Sequence, residues 1–228
     1  MPFDLSPLWI SLKTTFAATL LTFFLGMAAA RWMVEYQGKG KGLLDGLFTS
    51  PLVLPPTVVG FLLLLLFGIN GPIGRLLERL GVTIIFSWPA TVIASTVVAF
   101  PLMYRTALGA FEQIDTNLLG AARTLGASEW SIFWQVTLPL AWPGIVAGTI
   151  LAFARALGEF GATLMLAGNI PGKTQTMSLA IFFAAEGGDM NQALAWVLII
   201  LAISLGVIVG LNYWFQKQLS FAAKARRQ

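Results

Sequence analysis

Arg155 and Glu159 stand four residues apart inside an apolar run, residues 139 to about 166, that carries no other charge. At that spacing both side chains leave one face of a helix and can neutralise each other, which limits the cost of two charges at membrane depth. Two uses are open for the pair. It can be a strut that ties a helical bundle together, or it can line or close a permeation path, where an anion is drawn to Arg155 and repelled by Glu159. A plain anion filter would not retain the carboxylate, so a gate or a structural element suits the pair better than a tight binding site. Gly158 and Gly161, interleaved with it, permit either close helix packing or a local break. Farther upstream, Pro51, Pro55 and Pro56 withdraw backbone donors and free carbonyls that lipid cannot satisfy. That stretch must face protein or an aqueous cavity, and a buried kink meets the condition as well as a path does.

Other chemistry is scarce. The 228 residues include no Cys and no His, which removes disulfide frameworks, thiolate zinc sites, Ser-His and Cys-His nucleophile pairs and histidine haem ligands. No cluster of carboxylates shares a face, so neither a metal site nor a catalytic residue is expected, and an intramembrane enzyme is the weakest reading. Gly168 to Thr174 has the look of a Walker A loop, but three residues rather than four separate its glycines and no soluble βαβ unit surrounds it. The chain should bind no nucleotide of its own.

The elements that must position these residues are membrane spans. With 57% apolar residues, 11% charged residues and a mean hydropathy of +0.80, the chain holds more hydrophobe than a soluble core of its length buries. Charges gather in short stretches and leave apolar runs at about 8–31, 45–69, 86–103, 139–166 and 193–215. The second should be bent or broken by its prolines. Residues 169–192 hold only a short apolar piece, 177–185, and are expected as a short amphipathic or re-entrant helix. The first run does not read as a cleavable leader, because its N-terminal flank is acidic and Arg31 and Trp32 follow it. The expected fold is all-α: a polytopic membrane bundle of five transmembrane helices forming one domain over residues 1–228.

Lys and Arg in the connections set the orientation. Arg31, Lys39, Lys41, Arg105, Arg123, Lys217, Lys224, Arg226 and Arg227 fall on one side of a five-span chain, against Arg75, Arg79 and Lys173 on the other. The richer side is cytoplasmic, which places the N-terminus outside and the C-terminus inside. The same loops account for the net charge of +4 without nucleic acid, since no basic segment carries interleaved aromatics.

The connection before the fourth run is too regular for a mere linker. Leu118, Ala122 and Leu125 fall at i, i+4 and i+7 and line one face of a short helix, with Arg123 and Thr124 turned elsewhere. Such a stripe suits a groove on a soluble partner, and equally a helix resting on lipid headgroups.

Ala121 and Ala122, three residues, Gly126, nine residues, then Val136-Thr137-Leu138-Pro139 resemble the EAA signature of permease subunits in ATP-binding cassette importers. Gly120 stands where that family has Glu, and Val136 where it has Ile. Residues 154–163, Ala-Arg-Ala-Leu-Gly-Glu-Phe-Gly-Ala-Thr, followed by Gly168-Asn169-Ile170-Pro171-Gly172, resemble permeases for tetrahedral oxyanions. Residues 51–60 and 122–127 are most similar to the molybdate permeases among them. The resemblance implies a type I importer permease whose cytoplasmic loop, about 109–138, carries a coupling helix. Leu118, Ala121, Ala122, Leu125, Gly126, Leu138 and Pro139 would then serve docking on the ATPase. Pro55, Pro56, Arg155, Gly158, Glu159 and Gly161 are the candidates for the path or gate. Also implied are a second copy of this chain, two ATPase subunits that use ATP and Mg, an external molybdate-binding protein, the lipid of the inner membrane, and no cofactor in this chain. Tungstate and sulfate or thiosulfate share the anion's shape and charge and stay open as alternatives. A self-sufficient secondary transporter or channel would require repeated halves with paired broken helices, and only one proline-rich span is visible. A membrane anchor for a soluble complex would have no need of Arg155 and Glu159.

The charge asymmetry predicts that a reporter fused after Arg227 reads as cytoplasmic and one inserted near Asn70 as external. The opposite pair of signals overturns the five-span order.

Overall fold

The computed structural model describes the backbone of residues 4–225 and the side chains of residues 4–210. All regular structure among them is helical: α1 (Ser6–Glu35), α2 (Lys41–Val53), α3 (Pro56–Phe67), α4 (Pro72–Arg79), α5 (Trp88–Glu112), α6 (Thr116–Thr124), α7 (Glu129–Ile132), α8 (Leu138–Leu157), α9 (Gly161–Ala167), α10 (Met177–Glu186) and α11 (Met190–Ala225). A π-helical turn, Phe133–Thr137, joins α7 to α8 without interruption. Four stretches are long and apolar enough to cross a bilayer, Ser6–Glu35, Trp88–Glu112, Glu129–Leu157 and Met190–Gly210. A fifth crossing results when α2 and α3, which meet at an angle of 115°, count as one bent span. The expected class, an all-helical membrane bundle, is the one observed.

Contacts divide the chain into two compact units, Met1–Thr176 and Met177–Gln228. In the first, α5 is the central helix, packed against α1 and α8, which also touch each other, while α3 packs on α9. Two apolar clusters follow one another along α5. Ala90, Ala94 and Val98 join Val59 and Leu63 of α3 and Ala162, Leu166 and Ala167 of α9. From Ala99 onward, Met103, Tyr104 and Ala107 join Ala30 and Met33 of α1 and Ile145, Ala152 and Ala156 of α8. The α5–α8 crossing is close because Gly144 and Gly148, one helical turn apart, present no side chain to Ala110 and Thr106. In the second unit, α10 packs along α11, and α10, at 10 residues, is too short to cross. Only 11% of the most apolar window of α11 is buried, as suits a helix bathed in lipid.

Three boundaries differ from those expected. Pro101 does not end the third span: it is buried within α5, which stays helical to Glu112, so Arg105 sits on a helix rather than in a loop. Neighbouring helices hold the backbone on both sides of the missing donor. The helix of the fourth run starts at Glu129, ten residues before its apolar stretch. It then stops at Leu157, so the run 139–166 is two helices and not one. Pro55 and Pro56 are therefore not the site of a solitary break.

Gly148→Leu should force α5 and α8 apart, an overpacking that costs roughly 1 to 3 kcal/mol. The check is the midpoint of thermal aggregation in detergent, which should fall for Gly148→Leu and stay unchanged for Gly42→Leu, where a Cβ meets nothing.

Candidate functional site

Residues that the sequence marked for a path or gate come together where the two broken spans adjoin. α8 ends at Leu157, with Gly158 as its cap and α9 opening at Gly161. Glu159, only 2% exposed, lies between them. Its Oε1 accepts a hydrogen bond from the backbone N–H of Ala162 at 2.8 Å, so the carboxylate serves the first turn of α9, whose amides have no helical partner. Its Oε2 lies 2.9 Å from Nη1 of Arg155, an ion contact that is not aligned as a hydrogen bond. The i, i+4 pairing expected from the sequence is present, but across a helix break rather than along a continuous face. Arg155, in the last turn of α8, retains partial exposure.

The proline break faces this one. Pro55 caps α3, and its carbonyl accepts from the amides of Val58 and Val59 at 2.9 and 3.2 Å. Gly161 lies against Pro56 and Thr57, so that a Cβ there would stand 3.1 to 3.3 Å from them, and Gly60 lies against Ala162 and Met165. Both breaks fall at the level where α5 passes from one apolar cluster to the other, between Val98 and Ala99. The Thr163 hydroxyl and Glu159 Oε2 are buried there without a hydrogen-bond partner, Oε2 having only its ion contact with Arg155.

A second group of marked residues lies at the other end of α8, about 30 Å away by helix length. α6 begins with the Asp115 carboxylate accepting from the Asn117 amide at 2.8 Å. It ends in a Schellman turn: Gly126 donates to the Arg123 carbonyl and Ala127 to that of Ala122, with Gly126 at φ +82°. Leu118 and Leu125 are 50% and 88% exposed, Ala121 is exposed and Ala122 half-buried, while Leu119 turns inward onto the core. The stripe expected on the sequence therefore faces outward. Two residues of the motif do not share it. Leu138 packs on the core, and Gly126 has open space where a Cβ would be, so its place rests on backbone conformation. Pro139 is exposed in the first turn of α8.

Several polar contacts were not read from the sequence. Arg123 grips Glu129 in a two-pronged pair, Nε to Oε1 at 2.6 Å and Nη2 to Oε2 at 3.1 Å, tying α6 to α7. Both side chains are exposed, so the pair contributes little stability; its forked geometry links the C-terminal end of α6 to the first turn of α7. The available signal was opposite charges on either side of a glycine turn. Asp45 of α2 accepts from the Tyr104 hydroxyl at 2.8 Å and meets Arg105 Nη2 at 3.0 Å, holding α2 on α5 across 59 residues of sequence. No local pattern announces that contact.

Residues 22–221 match the family described as binding-protein-dependent transport system inner membrane component, and the chain belongs to it. Its fold is that of solved importers. It superposes on a bacterial ABC transporter involved in the import of the acidic polysaccharide alginate with a TM-score of 0.79 at 17% identity, covering 95% of this chain and 80% of that one. The MetNI methionine ABC transporter gives 0.71 at 18%, covering 94% and 95%. Closer in sequence are two proteins named molybdenum transport system permease protein ModB. That of Escherichia coli (strain K12) is 46% identical over 202 residues, 87% of each chain. That of Haemophilus influenzae is 41% identical over 218 residues, 95% of each.

Glu159→Ala removes the cap of α9 and strands Arg155, and should lower the thermal midpoint of the purified chain by the equivalent of about 1 to 3 kcal/mol. Arg155→Met combined with Glu159→Gln keeps an acceptor for the Ala162 amide and leaves no lone charge, so it should recover most of that loss. Equal damage in the single and double variants would show that neither the amide acceptor nor the stranded charge accounts for the loss.

Proposed function

We propose that this chain is the transmembrane subunit of an ATP-driven, binding-protein-dependent importer for molybdate, working in the inner membrane. The observation that carries the reading is identity above 40% to molybdenum permeases over nearly the whole chain, in a family of binding-protein-dependent transporters. Two copies of the chain pair with two ATPase subunits, which bind ATP and Mg, and an external protein delivers the anion. The N-terminus lies outside and the C-terminus in the cytoplasm, in keeping with the Lys and Arg distribution.

α6 is the docking element. Its outward Leu118, Ala121 and Leu125 offer apolar surface to a groove on the ATPase, and Gly126 ends the helix where the chain must turn. Closure of the ATPases on ATP displaces α6, and the Arg123–Glu129 pair passes the displacement to α7 and thence to α8. At the far end of α8 stand Arg155, Gly158 and Glu159, with Gly161, Pro55 and Pro56 alongside. There a small rotation changes which side of the break is closed. Arg155, which keeps partial exposure, can attract the dianion, while buried Glu159, held by Arg155 and the Ala162 amide, offsets part of that charge, which favours passage over storage.

Uptake of labelled molybdate by vesicles holding the chain with its ATPase and binding protein tests the reading, with tungstate and sulfate as competitors. ATP-dependent uptake that tungstate suppresses and sulfate leaves intact supports it. Uptake of molybdate without ATP, or of sulfate alone, overturns it.

Leu118→Ser with Leu125→Ser removes two apolar anchors, each worth about 1.5 to 3 kcal/mol when fully buried. The ATPase should then dissociate from the permease at concentrations about tenfold or more above the unaltered threshold. Co-purification across a dilution series reads this directly, and an unchanged threshold would remove α6 from the interface.

A further inference from the structure

We propose that α4 lies flat in the boundary between headgroups and acyl chains, in the leaflet opposite α6, with its apolar edge in lipid and its arginines on lipid phosphates. The proposal rests on the chain crossing the membrane and not on the molybdate reading. α4 precedes the first residue of α5 and α6 follows its last, so a 25-residue span, about 37 Å long, stands between them.

At about 100° per residue, Ile73, Leu76 and Leu77 fall on one arc of α4, which the capping residue Leu80 extends, and Arg75, Glu78 and Arg79 on the opposite arc. Ile73, at 36% exposed, Leu76 at 60% and Leu80 at 71% are open, while Leu77, on the side of the arc nearer Gly74, is half-buried beside Phe67 and Ile84. The flank between the two arcs is turned to protein. Gly74 is buried against the turn that ends α3, where a Cβ would overlap the carbonyls of Phe67 and Gly68. A helix clamped by that flank presents its apolar and polar arcs in opposite directions, one toward the hydrocarbon and one toward water.

Two further observations name lipid as the occupant. Leu62, Leu65 and Leu66 of α3, shortly before α4 in the chain, are also exposed, and they belong to a stretch apolar enough to form half of a bent span. Arg75 and Arg79 take part in no ion pair among the described residues, which leaves two guanidinium groups to meet phosphate oxygens at headgroup level. A soluble protein docking on α4 would have to bury leucines that already border the bilayer.

The chain contains no Cys, so single-cysteine variants carry one label each. Leu76→Cys, Leu80→Cys, Arg75→Cys and Arg79→Cys would be nitroxide-labelled in the full-length chain and reconstituted in vesicles of phosphatidylethanolamine and phosphatidylglycerol. The ratio of collisions with oxygen to collisions with a water-soluble nickel chelate should be several-fold higher at positions 76 and 80 than at 75 and 79. Two positions on each arc keep the pattern readable should one variant fail to reconstitute. Equal ratios at all four positions would show that the two arcs meet the same medium and overturn the proposal. Labels at 76 and 80 shielded from both reagents would overturn it in favour of a protein cover, either a second copy or an added binding protein that produces the shielding.

Discussion

A helix interrupted within a bilayer exposes amides that lipid cannot satisfy, and the arrangement of this chain follows from how it meets that constraint. Glu159 meets it for the break between α8 and α9, by accepting from the Ala162 amide. A carboxylate in that position needs a cation, and Arg155, one turn back, supplies it at 2.9 Å. The short helix opened in this way can approach α3 closely, through Gly60 and Gly161. The second break, at Pro55 and Pro56, is thereby held against the first. Two interruptions that would each be costly alone share one protein-lined position, level with the middle of α5.

The opposite end of α8 is built for stiffness. The Schellman turn at Gly126, the forked Arg123–Glu129 pair and the π-helical turn Phe133–Thr137 join α6 to α8 with no flexible linker. Aromatic contacts reinforce the junction: Trp130 meets Trp134 edge to face, and the Arg31 guanidinium lies over Phe133. In the proposed reading, these contiguous elements are the route between the docking helix and the break in the membrane. π-helical turns often mark places where a helix serves function rather than stability, and here the turn lies inside the EAA-like segment.

Packing divides the helices by environment. α5 is enclosed, and 61% of its most apolar window is buried behind small residues such as Ala90, Ala94, Ala99 and Ala107. α1 and α8 bury less, and they carry Phe16, Phe24, Leu140 and Leu151 on outward faces. In lipid there is no hydrophobic gain from hiding those side chains, so close packing of small residues, rather than burial of large ones, holds the bundle together.

By itself the sequence determined whatever depends on composition and short spacing. The long apolar runs had to be spans, since nothing else disposes of them, and three prolines within six residues had to interrupt a helix. The stripe Leu118, Ala122, Leu125 showed its helix because i, i+4 and i+7 describe one face whatever surrounds it, and the importer class was legible only through the resemblance that residues 121–139 bear to a known family signature. Tertiary structure decided the rest. Arg155 and Glu159 read as neighbours on one helix, because four-residue spacing looks the same whether the helix continues or breaks. That the break falls at Gly158 depends on a carboxylate reaching an amide three residues on, and on α3 standing ready to receive α9. The Asp45–Tyr104–Arg105 contact joins segments 59 residues apart, and the role of Gly126 depends on a left-handed backbone that no spacing reveals. Local periodicity records which face of a helix is apolar, but what that face meets is set by chain segments far away in sequence.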